Sequence, residues 1–140
     1  MAYWLMKSEP DAYSWQRLVK EGKTTWDGVR NYQARNHMQA MKLGDRAFFY
    51  HSNEAKGFMS KAVVGIMEIV REAYPDPGDE RFVMVDVVPV KALAAPVPLA
   101  ALKAEPKLSG MAMLRQSRLS VSPLTAAEWK AVLALSGTTA

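Results

Sequence analysis

The pattern of hydrophobic and polar positions near the N-terminus predicts a short strand followed by a short helix. Tyr3 to Lys7 is aromatic-rich and is stopped by a proline-containing segment, as is typical of a strand end. Ser14 can cap a helix in which Trp15, Leu18 and Val19 recur at helical spacing. The spacing predicts that this helix packs on the core and that Trp15 is a core residue.

A second helix is predicted to begin after Asn31, which can serve as its N-cap, and to run to about Met41. Ala34, Met38 and Met41 lie at positions i, i+4 and i+7 and would form its buried stripe. Asn31 and Arg35 lie on the opposite face. We therefore expect one face of this helix to contact the core and the other to be free for a partner.

The middle of the chain predicts three strands. Arg46 to Ser52 contains three consecutive aromatic residues and ends in the polar cluster 51–54. The apolar runs from Lys61 to Val70 and from Phe82 to Val90 are separated by a turn rich in proline, glycine and aspartate. They predict an antiparallel pair, and Gly65 within the first run predicts a bulge or a sharp bend.

The C-terminal part predicts a helix, a strand and a last helix. A proline-punctuated segment precedes the predicted short helix from Leu99 to Ala104, and Arg118 to Ser122 alternates polar and apolar residues like a strand. Thr125 can cap the last helix, and Glu128 would complete a capping box.

This order of elements favours an α+β fold with a small, mostly antiparallel curled sheet or β-barrel decorated by short helices. The predicted hairpin of the two apolar runs breaks the alternation of strand and helix that a parallel sheet requires. With 140 residues and 49% hydrophobic content, the chain can bury one core, so we expect a single domain.

Several classes of function are excluded by composition. The chain has no cysteine and two histidines, which rules out disulfides and thiol chemistry and argues against a zinc centre. Its carboxylates are scattered, and it contains no phosphate-binding glycine loop, so we expect neither a metal nor a cofactor. No apolar run approaches the roughly 18 residues of a membrane span, and no secretory leader is visible, so we expect a cytoplasmic protein.

The charge distribution indicates an anionic partner. The formal net charge is +4, and bases exceed acids in residues 1–60 and 91–140 but not in 61–90. Where the two basic segments meet in space, they would form a basic surface beside an acidic one.

The segment from Trp26 to Asn36 carries the densest recognition chemistry in the chain. It combines an indole, a phenol, two guanidiniums and side-chain amides around one glycine, a mixture that suits planar polar ligands such as nucleobases. Trp26 is expected to lie in a turn, and Arg30 is expected to pair with Asp27 or Asp45 and so to fix that turn.

Three residues are candidates for contact with a base. Trp26 offers the largest face for stacking, although it could instead plug one end of a barrel. The amide of Asn31 can read a Watson–Crick edge, or it can simply cap the helix. The hydroxyl of Ser8 could bond a base edge, or it could be an ordinary turn residue.

Three basic residues are candidates for phosphate contacts: Lys7, Arg35 and Arg118. Arg118 is the strongest of them, because the strand pattern places it on one face with Ser120 and Ser122. The alternative is that these side chains are simply solvated.

The pair of His51 and Ser52 invites comparison with a hydrolase, in which a histidine activates a serine. Consecutive side chains of a strand point to opposite faces, so the two cannot form a dyad there. We expect that one of them lines a pocket by its side chain and the other by its backbone.

Five blocks of the sequence, taken together, resemble the EVE domain family. They are Trp4–Pro10, Trp26–Asn36, Gly44–Asp45, Phe49–Asn53 and Ser117–Val121. The resemblance covers nearly the whole chain and implies a PUA-like β-barrel shared with YTH readers of methylated RNA. It also implies a non-enzymatic reader that binds a modified nucleobase, such as a 5-substituted cytosine in DNA or a modified base in RNA.

With this resemblance, the predicted binding set is Lys7, Ser8, Trp26, Asn31, Tyr32, Arg35, His51, Ser52, Arg118 and Ser120. Similar proteins usually carry a long insertion between the two central strands, and here the short turn from Asp76 to Arg81 replaces it. Two alternatives stay open: an enzyme that acts on nucleic acid through His51, and a protein-interaction domain with a basic face. A monomer is favoured.

Overall fold

The structure is a computed structural model that describes residues 1–52 and 61–138. The strands are β1 (Tyr3–Ser8), β2 (Thr24–Trp26), β3 (Arg46–His51), β4 (Ala62–Pro75), β5 (Val83–Pro98) and β6 (Val121–Leu124). The helices are α1 (Trp15–Glu21), α2 (Tyr32–Ala40), α3 (Leu99–Ala104), α4 (Ala112–Arg115) and α5 (Ala126–Ser136), with a 3-10 turn at Pro106–Leu108. None of these helices is long and apolar enough to cross a membrane.

The six strands form one mixed sheet in the order β2-β5-β4-β3-β1-β6. β1 pairs with β3 in parallel, and every other neighbouring pair is antiparallel. The predicted α+β class and the predicted pairing of the two central strands are confirmed. The predicted β-barrel is not confirmed. Among the described residues the outer strands β2 and β6 do not pair, so the sheet is not closed.

Alternation along the central strands builds a hydrophobic core on each face of the sheet. Trp4, Met6 and Phe49 lie in one core with α1 and α2, whereas Leu5 and Phe48 lie in the other with α3 and α5. Because consecutive residues of a strand point to opposite faces, the run of three aromatics in β3 is divided between the two cores.

The predicted helix caps are confirmed. The side chain of Ser14 accepts a hydrogen bond from the amide of Arg17, and that of Asn31 accepts one from Ala34. Thr125 and Glu128 form the predicted capping box. These side chains satisfy backbone donors that a helix leaves unpaired at its first turn, which fixes where each helix begins.

The buried faces of the first two helices largely follow the predicted spacing. Trp15 and Leu18 are buried in α1, and Ala34 and Met38 are buried in α2. Val19 is an exception, because 53% of its surface is exposed. Val19 directly follows Leu18 in the chain, and a step of one residue turns the side chain about 100° around the helix and away from the core.

Two strands differ from the prediction. β5 continues through the proline-punctuated segment to Pro98, where it still pairs with Ala62 of β4. Trp26 ends the short strand β2, which pairs with β5 at the edge of the sheet, and does not lie in a turn. A strand of three residues carries too few positions for a period-2 pattern to be visible.

The last strand also begins later than predicted. β6 starts at Val121, so Arg118 and Ser120 lie in the turn that precedes it and share no strand face with Ser122. Ser122 is fully buried. Polar residues 53 and 54 of the predicted cluster after β3 lie outside the described residues.

The bulge predicted at Gly65 is confirmed, and the structure gives its reason. The register of β4 shifts between Val63 and Gly65 against β5. A Cβ atom at position 65 would lie 2.6 Å from the indole ring of Trp15, far closer than atoms approach in a packed core. The ring of α1 therefore packs directly on the backbone of the sheet.

We expect Gly65→Ala to lower the free energy of unfolding by about 1–3 kcal/mol, because the added methyl group overpacks this contact. Urea unfolding monitored by circular dichroism measures the change. Gly110→Ala is the control, since a Cβ there meets nothing within 4 Å and Gly110 has no positive φ. Equal effects of the two substitutions would contradict the proposed packing constraint.

Asp45 is a buried acceptor that holds the N-terminal strand to the loop before β3. Its carboxylate accepts hydrogen bonds from the Ala2 amide, from the indole nitrogen of Trp4 and from the Lys42 amide, at 3.0 to 3.1 Å. Burial alone would raise the pKa of Asp45, but these hydrogen bonds outweigh it and leave the pKa below its ordinary value of 3.8. The charged form is therefore stabilised by folding.

We expect Asp45→Asn to destabilise the fold by about 1.5–3 kcal/mol at neutral pH, the usual cost of losing hydrogen bonds to a charged group. Because the folded pKa is lowered, the stabilisation is complete above the unfolded value of 3.8 and is lost as the pH falls through the folded value. The difference from wild type should therefore shrink in acid. Asp11→Asn, at an exposed site, is the control, and a difference independent of pH would contradict the assignment.

Candidate functional site

A cavity of about 510 Å³ opens between the end of β1, the outer side of α1 and the strand β2. Its volume is within the range of about 300–1,000 Å³ that is common for small-molecule sites. The lining residues are Lys7, Ser8, Glu9, Ala12, Tyr13, Arg17, Glu21, Thr24, Thr25, Trp26 and Asp27. We call it the first cavity.

Trp26 belongs to the wall of the first cavity and to the core at once. Only 8% of its surface is exposed, and its ring meets Phe49 edge to face with centroids 5.4 Å apart. Phe49 makes a second edge contact with Trp15 of α1. The two roles considered for Trp26, a ligand wall and a packing residue, are therefore compatible.

Tyr13 is a second aromatic residue of the first cavity, and sequence reasoning missed it. Its hydroxyl donates to Glu21 at 2.7 Å, and the guanidinium of Arg17 lies 4.9 Å from its ring. Burial, as the largest cause, raises the pKa of its hydroxyl. Its position directly before the helix cap Ser14, close to the end of β1, was the available clue.

Ser8 lies where β1 ends, beside Tyr13. Its hydroxyl donates to the carbonyl of Tyr13 at 2.6 Å, so its oxygen keeps lone pairs with which to accept a further hydrogen bond. The carbonyl of Ser8 in turn accepts a hydrogen bond from the Ser52 amide. The ends of β1 and β3 are thereby held together at the cavity.

Lys7 lines both the first cavity and a second one. Its ammonium group donates to the carbonyl of Ser117 at 2.8 Å, and its amide donates to the carbonyl of Ser120. Burial, and then repulsion by Lys61, lowers the pKa of Lys7. The second cavity has a volume of about 360 Å³ and is lined by Lys7, Glu9, Tyr50, Ser52, Lys61, Leu99, Lys103, Met113, Leu114 and Ser117. We call it the lysine cleft.

His51 lines neither of these cavities. It is 2% exposed, its Nε2 accepts a hydrogen bond from the Trp15 amide at 3.1 Å, and its ring meets the edge of Phe49. Burial lowers the pKa of His51, which favours the neutral form that can accept this bond. His51 thus fixes the start of α1, while its neighbour Ser52 lies in the lysine cleft.

Asn31 and Arg118 come together in a third cavity, which shares no lining residue with the first. It has a volume of about 330 Å³ and is lined by Asn31, Gln33, Arg115, Gln116, Ser117, Arg118 and Leu119. The Oδ1 atom of Asn31 is used for the helix cap. Asn31 therefore lines a cavity with Arg118 and not with Trp26, although only four residues lie between Asn31 and Trp26 in the chain.

Tyr32 and Arg35 contact the turn between β4 and β5. Tyr32 is half exposed and stacks on Phe82 with centroids 5.0 Å apart. Arg35 lies 4.9 Å from the ring of Tyr32 and donates to the carbonyl of Arg81. Neither residue lines any of the three cavities.

Asp76 fastens the segment after Trp26 to the same turn. Its carboxylate accepts hydrogen bonds from the guanidinium of Arg30 at 3.0 Å and from the amides of Gly28 and Gly78. The Arg30 interaction is the largest cause that lowers the pKa of Asp76. The expected pairing of Arg30 with Asp27 or Asp45 is wrong, because this partner lies in a turn that is distant in sequence.

No group of three or more histidine or acidic residues within 1–52 and 61–138 could hold a metal ion.

The family is shown by comparison with known proteins. The sequence pattern of the EVE domain matches residues 2–135, so the chain belongs to the EVE domain family. Mouse thymocyte nuclear protein 1 is 40% identical, and the alignment covers 97% of this chain and 74% of the mouse protein.

Solved structures extend this comparison. A protein from Rhodopseudomonas palustris, solved by NMR, is 55% identical with a TM-score of 0.88, and the match covers 98% of this chain and 94% of that chain. The human THYN1 protein, solved in complex with DNA that contains 5-methylcytosine, is 36% identical with a TM-score of 0.89 and full coverage of both chains.

The expected relation to YTH domains holds for the fold. The YTH domain of Zygosaccharomyces rouxii MRB1 has a TM-score of 0.56 at 16% identity, covering 99% of this chain and 86% of that chain. The expected cytoplasmic location is contradicted, because the curated vertebrate relatives are named nuclear proteins.

We expect Asp76→Ala to increase hydrogen exchange of the Gly28 amide about tenfold, because this amide loses its acceptor and the segment loses its tie to Arg30. Exchange measured residue by residue by NMR tests this. Asp79→Ala is the control, since the Asp79 side chain bonds Arg81 within the turn. Unchanged exchange at Gly28 in Asp76→Ala would contradict the anchoring role.

Proposed function

We propose that this protein binds one modified nucleobase of a nucleic acid in the first cavity and performs no reaction on it. The observation that carries the proposal is the cavity itself, which has aromatic residues in its wall and polar acceptors around its rim. The human relative solved with DNA containing 5-methylcytosine supports this choice of ligand.

The walls of the cavity suit a flat, partly apolar ring. Trp26 and Tyr13 supply aromatic surface, and Ala12 adds a small apolar side chain that leaves room for a methyl substituent. Contact between an aromatic side chain and a base contributes roughly 1–3 kcal/mol, which offsets the few kcal/mol needed to take a base out of its stack.

The rim of the cavity suits the amino group of cytosine. Asp27 supplies a carboxylate, and the hydroxyl oxygen of Ser8 keeps acceptor capacity because its proton is used on Tyr13. Carboxylates are natural acceptors for the N4 amino group of cytosine. Asn31, which lies in the third cavity, is not part of this proposed contact set.

The arrangement of His51 supports binding without chemistry. A general base must reach the proton that it abstracts, whereas His51 is buried and does not line the first cavity. Its Nε2 already accepts a hydrogen bond from the Trp15 amide. Its role is to hold α1 in place, and α1 supplies the wall that carries Arg17 and Glu21.

A binding assay with matched oligonucleotides tests the proposal. We expect DNA with a single 5-methylcytosine to bind about fourfold more tightly than the same DNA with cytosine, because burying one methyl group contributes about 0.8 kcal/mol. Fluorescence anisotropy at constant salt measures both affinities. If cytosine-modified and adenine-modified DNA and RNA all bind no better than their unmodified counterparts, the proposal fails.

The variant Trp26→Leu should lower affinity for the modified oligonucleotide by about 5- to 150-fold, as expected for the loss of 1–3 kcal/mol of stacking. The matched control is Trp129→Leu, a substitution of another buried tryptophan that packs against Phe48 in the other core. Circular dichroism establishes that both variants are folded. Equal losses of binding would argue for a general effect on stability.

A further inference from the structure

The lysine cleft adjoins the first cavity and shares Lys7 and Glu9 with it. Its three ammonium groups come from separate parts of the fold: Lys7 from β1, Lys61 from the residue before β4, and Lys103 from α3. The proposed function uses none of the contacts that Lys61 and Lys103 can make. The cleft therefore needs an explanation of its own.

The backbone brings Lys61 and Lys103 to the same side of the molecule. The amide of Leu99, the first residue of α3, donates to the carbonyl of Lys61 at 3.0 Å. Lys103 lies four residues after Leu99, one turn along the same face of the helix. Both residues line the cleft, so their convergence is built into the fold.

The positive charge of the cleft is not neutralised by the described part of the protein. None of the three lysines lies within 4.0 Å of a carboxylate there, although Glu9 is among the lining residues. Lys7 donates one hydrogen bond, to Ser117, and an ammonium group can donate three. An anion in the cleft would meet free donors and relieve the repulsion between Lys7 and Lys61.

We propose that the lysine cleft binds the backbone phosphate next to the base held in the first cavity. The inference rests on the proposed function, because it takes the position of the base from it. A phosphate is only one sugar away from its base, so it must lie at the edge of the cavity, and Lys7 stands at that edge. Leu99, Met113 and Leu114 supply the apolar side of the cleft that a sugar ring would contact.

The double variant Lys61→Gln with Lys103→Gln tests this assignment and leaves Lys7 in place. Both residues are exposed, so the substitutions keep the core intact. The matched control is Lys107→Gln with Lys130→Gln, which removes the same charge from exposed positions that line none of the cavities described above. Affinity for single-stranded DNA, with 5-methylcytosine or with cytosine, is measured over a series of salt concentrations.

The cleft variant should reduce the slope of log affinity against log salt by about 0.7, the value for one lost phosphate contact on a single strand. The loss should be equal for modified and unmodified DNA, so the preference for the modified base is unchanged. If the slopes equal those of the control variant and the preference is retained, the assignment of the phosphate to the lysine cleft is overturned. The proposed function is then unaffected. If the wild-type protein shows no preference for any of the cytosine-modified or adenine-modified DNA and RNA over their unmodified counterparts, both proposals are overturned.

A neutral backbone analogue locates the phosphate. When the phosphate beside the modified base is replaced by an uncharged methylphosphonate, the double variant Lys61→Gln with Lys103→Gln should cause no further loss of affinity. The two lysines then no longer have a charged partner to lose. The same replacement several nucleotides away should leave the cost of the variant intact. Additive losses at every position would overturn the assignment to the neighbouring phosphate.

Discussion

The contact between the indole of Trp15 and the backbone of Gly65 is the constraint on which the site depends. Any side chain at position 65 would occupy the space of the ring, since even a Cβ atom would lie 2.6 Å from it. Phe49 meets the rings of both Trp15 and Trp26, and His51 accepts a hydrogen bond from the Trp15 amide. The absence of a side chain at Gly65 therefore lets α1 pack directly on the sheet, beside the cavity that α1 and β2 both line.

A second set of interactions holds the other border of that cavity. Asp76 joins the turn after β4 to Gly28 and Arg30, just beyond Trp26. On β5, which pairs with β2, Asp86 accepts hydrogen bonds from Thr25 and Tyr74 and so fixes β2 itself. A site whose walls are held in this way loses little conformational freedom when a ligand binds, which favours affinity. The turn from Asp76 to Arg81 thus holds the segment from Trp26 to Asn36 in place.

What the sequence predicted well was local. Caps at Ser14 and Asn31, and the bulge at Gly65, follow from side chains and backbone preferences that act within a few residues. The pairing of Arg30 with Asp76 and the approach of Lys61 to Lys103 join segments that are about forty residues apart, and no periodicity encodes them. The separation of Asn31 from Trp26 was missed for the same reason, because closeness in the chain does not place two side chains in one cavity.

The first cavity and the lysine cleft, which both include Lys7, would contribute different parts of the binding free energy. One methyl group buried in a cavity contributes only about 0.8 kcal/mol, so the modification alone cannot supply useful affinity. Contacts with phosphates supply affinity without reading sequence, and they weaken as salt rises. A protein that reads a small mark therefore needs a basic surface adjacent to a discriminating cavity, and close enough that one nucleotide reaches both. Lys7, which borders the first cavity and the lysine cleft, lies at the point where these two requirements meet.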